Sequence, residues 1–440
     1  MKTNVKEKSV RPVAVTHEGA VARKFDNIST LRRTVLSCLL FEDTFYESGV
    51  DIAKRIGNLV EKCRPEEVSA LAIEARTIFN MRHAPLLIVR EMARLTDHKP
   101  YVAYTLATII QRADELAEFL ALYWKDGKCP ISAQVKKGLA HAFTKFDEYA
   151  LAKYNRDAKI KLRDVLFLVH AKPLDKKQEK LWKRLVDGSL ATPDTWETEL
   201  SAGKDKKETF TRLLKEKKLG ALALLRNLRN MYESKVSKTA IFTALEEANL
   251  SRVLPMRFIT AAKHAPQWED KLEETLMKVL ENRPKLSGST SVLIDVSGSM
   301  TSGSVSERSE LTPADVAASL AILVRELCKD VNIYIFGTNC KRVPARHGFA
   351  LRDLIHGSEE IGYGTNIFQA VQFAHQDSKA DRCIIITDCQ SADNGRYLFP
   401  QNYVLNVANY QHSVGYGKNV VHIDGWSEAV LDYIQAYESL

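Results

Sequence analysis

Between residues 26 and 285 the apolar side chains return every three or four positions, the spacing that lines one face of an α-helix. Leu106, Ile109, Ile110, Ala113, Leu116, Ala117, Leu120 and Trp124 form one such stripe. Leu139, Phe143, Phe146, Ala150 and Tyr154 form a second, and Leu272, Leu276, Val279 and Leu280 a third. Asp26 is placed to cap a helix carrying Ile28, Leu31, Val35 and Leu39. Pro85 suits the first turn of a helix through Leu95. Many amphipathic helices with short polar connections predict stacked helix pairs, an α-solenoid of divergent repeats, rather than one bundle. The polar stretch Gly188 to Lys207, with Pro193, reads as a loop between helical groups.

At Gly288 the pattern changes. Ser291–Val296, Val331–Phe336, Cys383–Thr387, Tyr403–Val407 and Val420–Ile423 are short apolar runs of strand length. Between and after them, Leu311–Leu327, Phe368–His375 and Ser427–Tyr437 read as helices. This alternation predicts a parallel α/β sheet covered on both faces. The expected plan is an N-terminal arm over 1–25, a helical-repeat domain over 26–285 and an α/β domain over 286–440.

Several classes of protein are excluded. No apolar run approaches the roughly 18 residues of a membrane span. The first ten residues are polar and lysine-bearing, unlike a secretory signal. The seven cysteines are odd in number and form no C-x-x-C pair, which argues against a zinc site and fits a reducing cytoplasm. There is no G-x-x-x-x-G-K-[ST] for a nucleotide and no G-x-S-x-G nucleophile turn. With no nucleophile–base pair in view, the chain is expected not to be an enzyme.

Charge is unevenly distributed. The chain carries 63 Lys and Arg against 55 Asp and Glu, net +8. Residues 286–440 hold 11 basic and 17 acidic residues, net −6, which leaves net +14 on residues 1–285. Such a surplus fits a polyanion partner. Lys137, His141 and Lys145 follow one another at intervals of four, on one predicted helix face. Lys153, Arg156, Lys159, Lys161, Arg163, His170 and Lys172 come just downstream, with Tyr149 and Tyr154 interleaved. Cations with aromatics among them suit phosphate contacts and base stacking, so these ten residues are the candidate nucleic-acid-binding set.

A second constellation lies in the acidic part. Asp295-Val296-Ser297-Gly298-Ser299 directly follows the first predicted strand, at the edge where α/β folds gather ligands. Thr365, before a helix, and Asp388, ending a strand, can reach the same edge. Two carboxylates and three hydroxyls make a hard-oxygen set suited to Mg²⁺ or a similar divalent cation. D-x-S-x-S, then a loop Thr, then a strand-end Asp resembles the metal-ion-dependent adhesion site of the von Willebrand factor A domain. That resemblance implies one coordination position left open for an acidic group of a partner.

The helical part also carries a resemblance. Met81-Arg82-His83-Ala84-Pro85-Leu86, Phe146-Asp147-Glu148-Tyr149 through Lys153-Tyr154, and Leu162-Arg163-Asp164-Val165-Leu166 look like the TROVE module. So do Val169-His170-Ala171-Lys172-Pro173, Ala223-Leu224-Leu225-Arg226-Asn227-Leu228 and the segment from Arg257-Phe258 through Lys263. The chain thus resembles the Ro autoantigen family, including its bacterial and phage relatives, from about Phe25 to the C-terminus. The resemblance implies a monomeric ring of HEAT-like repeats closed by an A domain, the core of a small ribonucleoprotein. Its expected partners are Y-like RNA on the outer surface, single-stranded 3′ ends of misfolded RNA in the central hole, and an exoribonuclease. The alternative is an adaptor that grips proteins through the metal site; it would need metal and ignore RNA.

Overall fold

The computed structural model describes residues 20, 26–36, 48–155, 157–250, 253, 255–281, 283–305, 310–408, 414, 419–425 and 429–438. The helical run comprises α1 (Asn27–Leu36), α2 (Gly49–Val60), α3 (Pro65–Thr77), α4 (His83–Met92), α5 (Lys99–Ile109), α6 (Asp114–Tyr123), α7 (Ala133–Phe143) and α8 (Glu148–Tyr154). It continues with α9 (Leu162–Val169), α10 (Lys176–Asp187), α11 (Trp196–Ser201), α12 (Lys206–Lys215), α13 (Ala221–Arg226), α14 (Leu228–Glu233), α15 (Lys238–Glu247), α16 (Pro255–His264) and α17 (Glu269–Glu281). The α/β part follows as β1 (Leu286–Asp295), α18 (Gly298–Thr301), α19 (Pro313–Leu327), β2 (Cys328–Phe336), β3 (Cys340–Val343) and α20 (Gly348–His356). It ends with α21 (Ile367–Ser378), β4 (Arg382–Thr387), β5 (Gln401–Asn406), β6 (Val421–Asp424) and α22 (Ala429–Glu438).

Two of the expected long helices are each a pair. The stripe from Leu106 to Trp124 divides into α5 and α6, and that from Leu139 to Tyr154 into α7 and α8. The first break has a clear cause. The fully buried Glu115 accepts the backbone N–H groups of Gln111 (2.8 Å) and Arg112 (3.1 Å), which holds the chain in a turn. Arg76 bonds Glu115 at 2.8 Å and donates to the Ile109 carbonyl at 2.9 Å, so both the buried acid and the open end of α5 are satisfied. At the second break Asp147 caps α8 through the Ala150 N–H. The stripe survives because both members of each pair bury it. Asp26 caps α1 through the Ser29 N–H at 2.8 Å, whereas Leu39 lies outside the described residues. The helix containing Pro85 ends at Met92, short of Leu95. The segment from Gly188 to Lys207 is not all loop: Thr195 caps α11 inside it.

The sheet has the order β3-β2-β1-β4-β5-β6. All neighbours are parallel except β2 and β3, so the expected parallel sheet gains one short antiparallel edge strand. β3 and α20 carry no strong periodic signal, so the sequence does not mark them. One sheet face shares a continuous core with α12–α17, from Phe210 to Ile434. The opposite face packs on α21 through Leu293, Tyr334, Phe336 and Val371. The helices from α1 to α10 form a separate core, from Leu31 to Leu185.

Both ends of the helical run meet the α/β domain, and this closes a ring. At the C-terminal end, Lys263 of α16 bonds the buried Asp315 of α19 at 2.7 Å, and His356 adds a contact at 3.1 Å. Although burial works to raise the Asp315 carboxyl, His356, Lys263 and the Thr312 N–H hold it well below the usual range. At the N-terminal end α1 lies along β6, covering what would otherwise be a bare edge strand. The Arg33 guanidinium sits 3.3 Å from His422 Nε2, His422 lies 2.9 Å from Asp424, and Asn406 donates to Asp424 at 2.7 Å. All four of these side chains are buried or nearly so. Gly425, at φ +93°, brings its backbone so close to α1 that a Cβ there would stand 2.5 Å from the Leu36 carbonyl oxygen.

Candidate functional site: an oxygen cluster and a basic surface

Parallel pairing of β1 and β4, with Ile294 opposite Ile386, puts the two strand-end aspartates side by side. Asp295 is fully buried. It accepts the Ser297 N–H at 2.9 Å and the Thr387 hydroxyl at 2.5 Å. Asp388 is also buried and accepts the Ser299 hydroxyl at 2.6 Å and the Gln390 N–H at 3.1 Å. Ser297 and Ser299 are 3.3 Å apart at their hydroxyls. The loop carrying Thr365 is brought in by two backbone ties: the Gly298 N–H donates to the Tyr363 carbonyl at 2.9 Å, and the Ala392 N–H to the Thr365 carbonyl at 2.7 Å. Gly337 lets that loop approach, since a Cβ there would stand 2.2 Å from the Gly362 carbonyl oxygen. Asp295, Ser297, Ser299, Thr365 and Asp388 are therefore gathered at one sheet edge.

The electrostatics suit a cation. Burial first, and the charge of Asp388 second, push the Asp295 carboxyl up to about 7. Among the described residues, no cluster of three His, Cys, Asp or Glu forms a metal site. The donor set here is instead two carboxylates with hydroxyls, chemistry that fits a hard divalent ion better than a soft one. Thr387, which orients Asp295, carries no separate signal in the sequence, being one Thr at the end of an apolar strand.

The basic residues are less uniform than their spacing implies. Lys137 and His141 are exposed on α7, as are Lys159, Arg163, His170 and Lys172 beyond it. Lys153 is half-buried, its ammonium 5.8 Å from the ring centres of both Tyr149 and Tyr154. Lys161 pairs with Asp157 at 2.6 Å, and Arg156 lies outside the described residues. Lys145 departs from the expected helix face. It follows the end of α7, and its ammonium donates to the Ala107 carbonyl and, at 3.0 Å, to that of Ile110. It serves the C-terminus of α5, and burial lowers its pKa from the ordinary lysine value.

A TROVE domain is matched over residues 183–320 and a Ro60 vWA domain over residues 290–397. Over these residues the chain is similar to Ro-type proteins, with a TROVE match followed by a Ro60 vWA match. The crystal structure of the Deinococcus radiodurans RO (RSR) protein shares its fold. That likeness has a TM-score of 0.62 at 19% identity, over 94% of this chain and 99% of that one. No curated protein matches the chain. The TROVE match begins at residue 183, after Lys172, so the basic set Lys137–Lys172 lies outside the matched segment. Both aspartates of the oxygen cluster lie inside the Ro60 vWA match. Among the described residues, no helix is long and apolar enough to cross a membrane.

The Met81–Leu86 motif has a packing role here. Arg82 bonds Glu118 at 2.8 Å and Asp114 at 3.2 Å, tying α4 to α6. For Lys145, the expected result of Lys145→Met is a loss of about 1.5 kcal/mol in stability, read from urea unfolding. RNA affinity should stay unchanged; a stable variant with weakened RNA binding would return Lys145 to the contact set.

Proposed function

We propose that this chain is a non-enzymatic RNA-binding protein, the core of a small cytoplasmic ribonucleoprotein acting in RNA quality control or decay. Its likeness to Ro-type proteins and its charge support this reading. The single observation that carries it is the run of exposed cations Lys137, Lys159, Arg163 and Lys172 on a helical part with net +14. None of Lys137, Lys153, Lys159 and Lys172 is engaged by a carboxylate within ion-pair distance among the described residues. Phosphates of structured, Y-like RNA and of single-stranded 3′ ends are the ligands we assign to it.

We further propose that Asp295, Ser297, Ser299, Thr365 and Asp388 hold Mg²⁺ or another divalent cation. Bound there, the ion supplies positive charge and an open position for a carboxylate of a protein partner, such as an exoribonuclease. Asp295 and Asp388 neutralise the ion, while Thr387 and the Ser297 N–H keep the Asp295 carboxylate aimed.

RNA affinity is expected to fall steeply with salt, by a slope of about −0.7 per phosphate contact for single strands. Reversing Lys137, Lys153, Lys159 and Lys172 to Glu together should flatten that slope by about three. Chelating divalent ions should leave it in place. Filter binding across a salt series checks this. A flat response in the unaltered protein, with capture of an acidic partner only in Mg²⁺, would favour the adaptor reading, and cleavage of labelled RNA by the pure chain would overturn the non-enzymatic one.

A further inference from the structure

The antiparallel edge of the sheet stops short. β2 runs from Cys328 to Phe336, yet β3 pairs only with its later part, from Ile333 opposite Val343 to Phe336 opposite Cys340. Pro344 follows at once, and a proline has no N–H with which to carry the ladder on. The earlier part of β2, Cys328–Asn332, pairs with β1 on one side and, among the described residues, has no strand on the other. No backbone bond joins it to the segment 344–347 either.

A cavity of about 320 Å³ lies where a longer β3 would run. Its walls include Val331 and Asn332 of β2, Arg342 and Val343 of β3, and Pro344 and Ala345 beyond. Val331 and Ala345 are only partly buried against the core below. Alternation along the strand puts Lys329 on the same face as Val331. An open row of backbone donors and acceptors beside a partly apolar cavity is the kind of site that takes an extended peptide as an added strand.

The surrounding charge selects the peptide. Lys329 and Arg346 are exposed, and among the described residues neither is engaged by a carboxylate within ion-pair distance. Arg342 meets Asp377 at 3.0 Å, and Asp330 is the one acid on the open part of β2. Edge cations repel the same edge of a second copy, which opposes self-pairing. They attract a strand that carries Asp or Glu.

We propose that the open part of β2 binds an extended acidic peptide of a protein partner. The peptide adds a strand in line with β3, places an apolar side chain in the cavity and sets carboxylates at Lys329 and Arg346. This site lies at the amino end of β2, whereas the oxygen cluster lies at the carboxyl ends of β1 and β4. Binding here therefore needs no metal, and it is independent of the RNA-binding reading.

The test uses the full chain and a short labelled peptide of alternating valine and glutamate, followed by fluorescence anisotropy. The controls are the same peptide with lysine for glutamate and the same peptide with alternate backbone nitrogens methylated. The unaltered chain is expected to bind the acidic peptide alone of the three, with or without EDTA. Lys329→Glu combined with Arg346→Glu should weaken that binding about tenfold. Both positions are exposed, and circular dichroism checks that the variant folds. Hydrogen exchange should show new protection at residues 329–332 when the peptide is bound. An unaltered chain that ignores the acidic peptide, or binds the methylated one equally well, overturns the added strand. Binding that survives charge reversal overturns the role of the two cations, and binding lost in EDTA moves the peptide to the oxygen cluster. A dimer whose 329–332 amides are protected without peptide would put a second copy there instead.

Discussion

Asp295→Asn is expected to abolish binding of Mg²⁺ and Mn²⁺ by this protein while leaving the helical ring folded. The unaltered protein should give a weak calorimetric signal with either ion, strengthened when an acidic ligand is supplied. The variant should give none. The reason is the charge of the site: a hard cation needs both carboxylates, and Asp295 is the one held fully buried by Ser297 and Thr387. The same substitution should not lower stability in the absence of metal. It removes a carboxylate that burial and Asp388 both oppose. Equal metal affinity in the two proteins would reduce the cluster to a polar turn.

The second large effect is expected at the seam where α1 meets β6. Arg33→Met removes a fully buried guanidinium from beside His422 and Asp424, and should cost about 3–5 kcal/mol. Gly425→Ala should act at the same place by a different route. Its Cβ would collide with the Leu36 carbonyl, and its φ would be strained, together costing about 1–3 kcal/mol or more. Denaturant unfolding reads the stability, and small-angle scattering reads whether the ring has opened into a longer arc. Acid should weaken the seam as well. Burial lowers the pKa of His422 from its ordinary 6.5, so below that pH the unfolded chain takes up a proton that the folded one resists. Stability should be fullest above about pH 6.5 and decline below it. Variants that unfold and scatter like the unaltered protein would mean that α1 merely lies on the sheet.

The oxygen cluster was legible residue by residue because its parts sit at places the sequence marks. Asp295 and Asp388 end apolar runs, and Ser297 and Ser299 follow in a turn. A parallel sheet brings such ends to one edge whatever the intervening chain does. The basic set was less legible, because spacing tells which side chains share a face only while the helix continues. Lys145 lies past the end of α7, and the carbonyls left open where α5 stops drew its ammonium inward. Those carbonyls are exposed by the α5–α6 break. The acid that makes the break, Glu115, looks in sequence like any surface glutamate.

By itself the sequence determined the local matters: where apolar stripes run, where helices give way to strands at Gly288, and which oxygen-bearing residues end strands. These follow from periodicity and turn chemistry within a few residues. Only the tertiary structure decided the long-range ones. It joined α12–α17 to one face of the sheet in a single core, leaving a cleft against the core of α1–α10. It also laid Arg33 against His422, 389 positions along the chain. Amphipathic faces specify that they must be covered, not by which partner. Burial of a guanidinium, a histidine and an aspartate together is favourable only in the one arrangement that lets each satisfy the others.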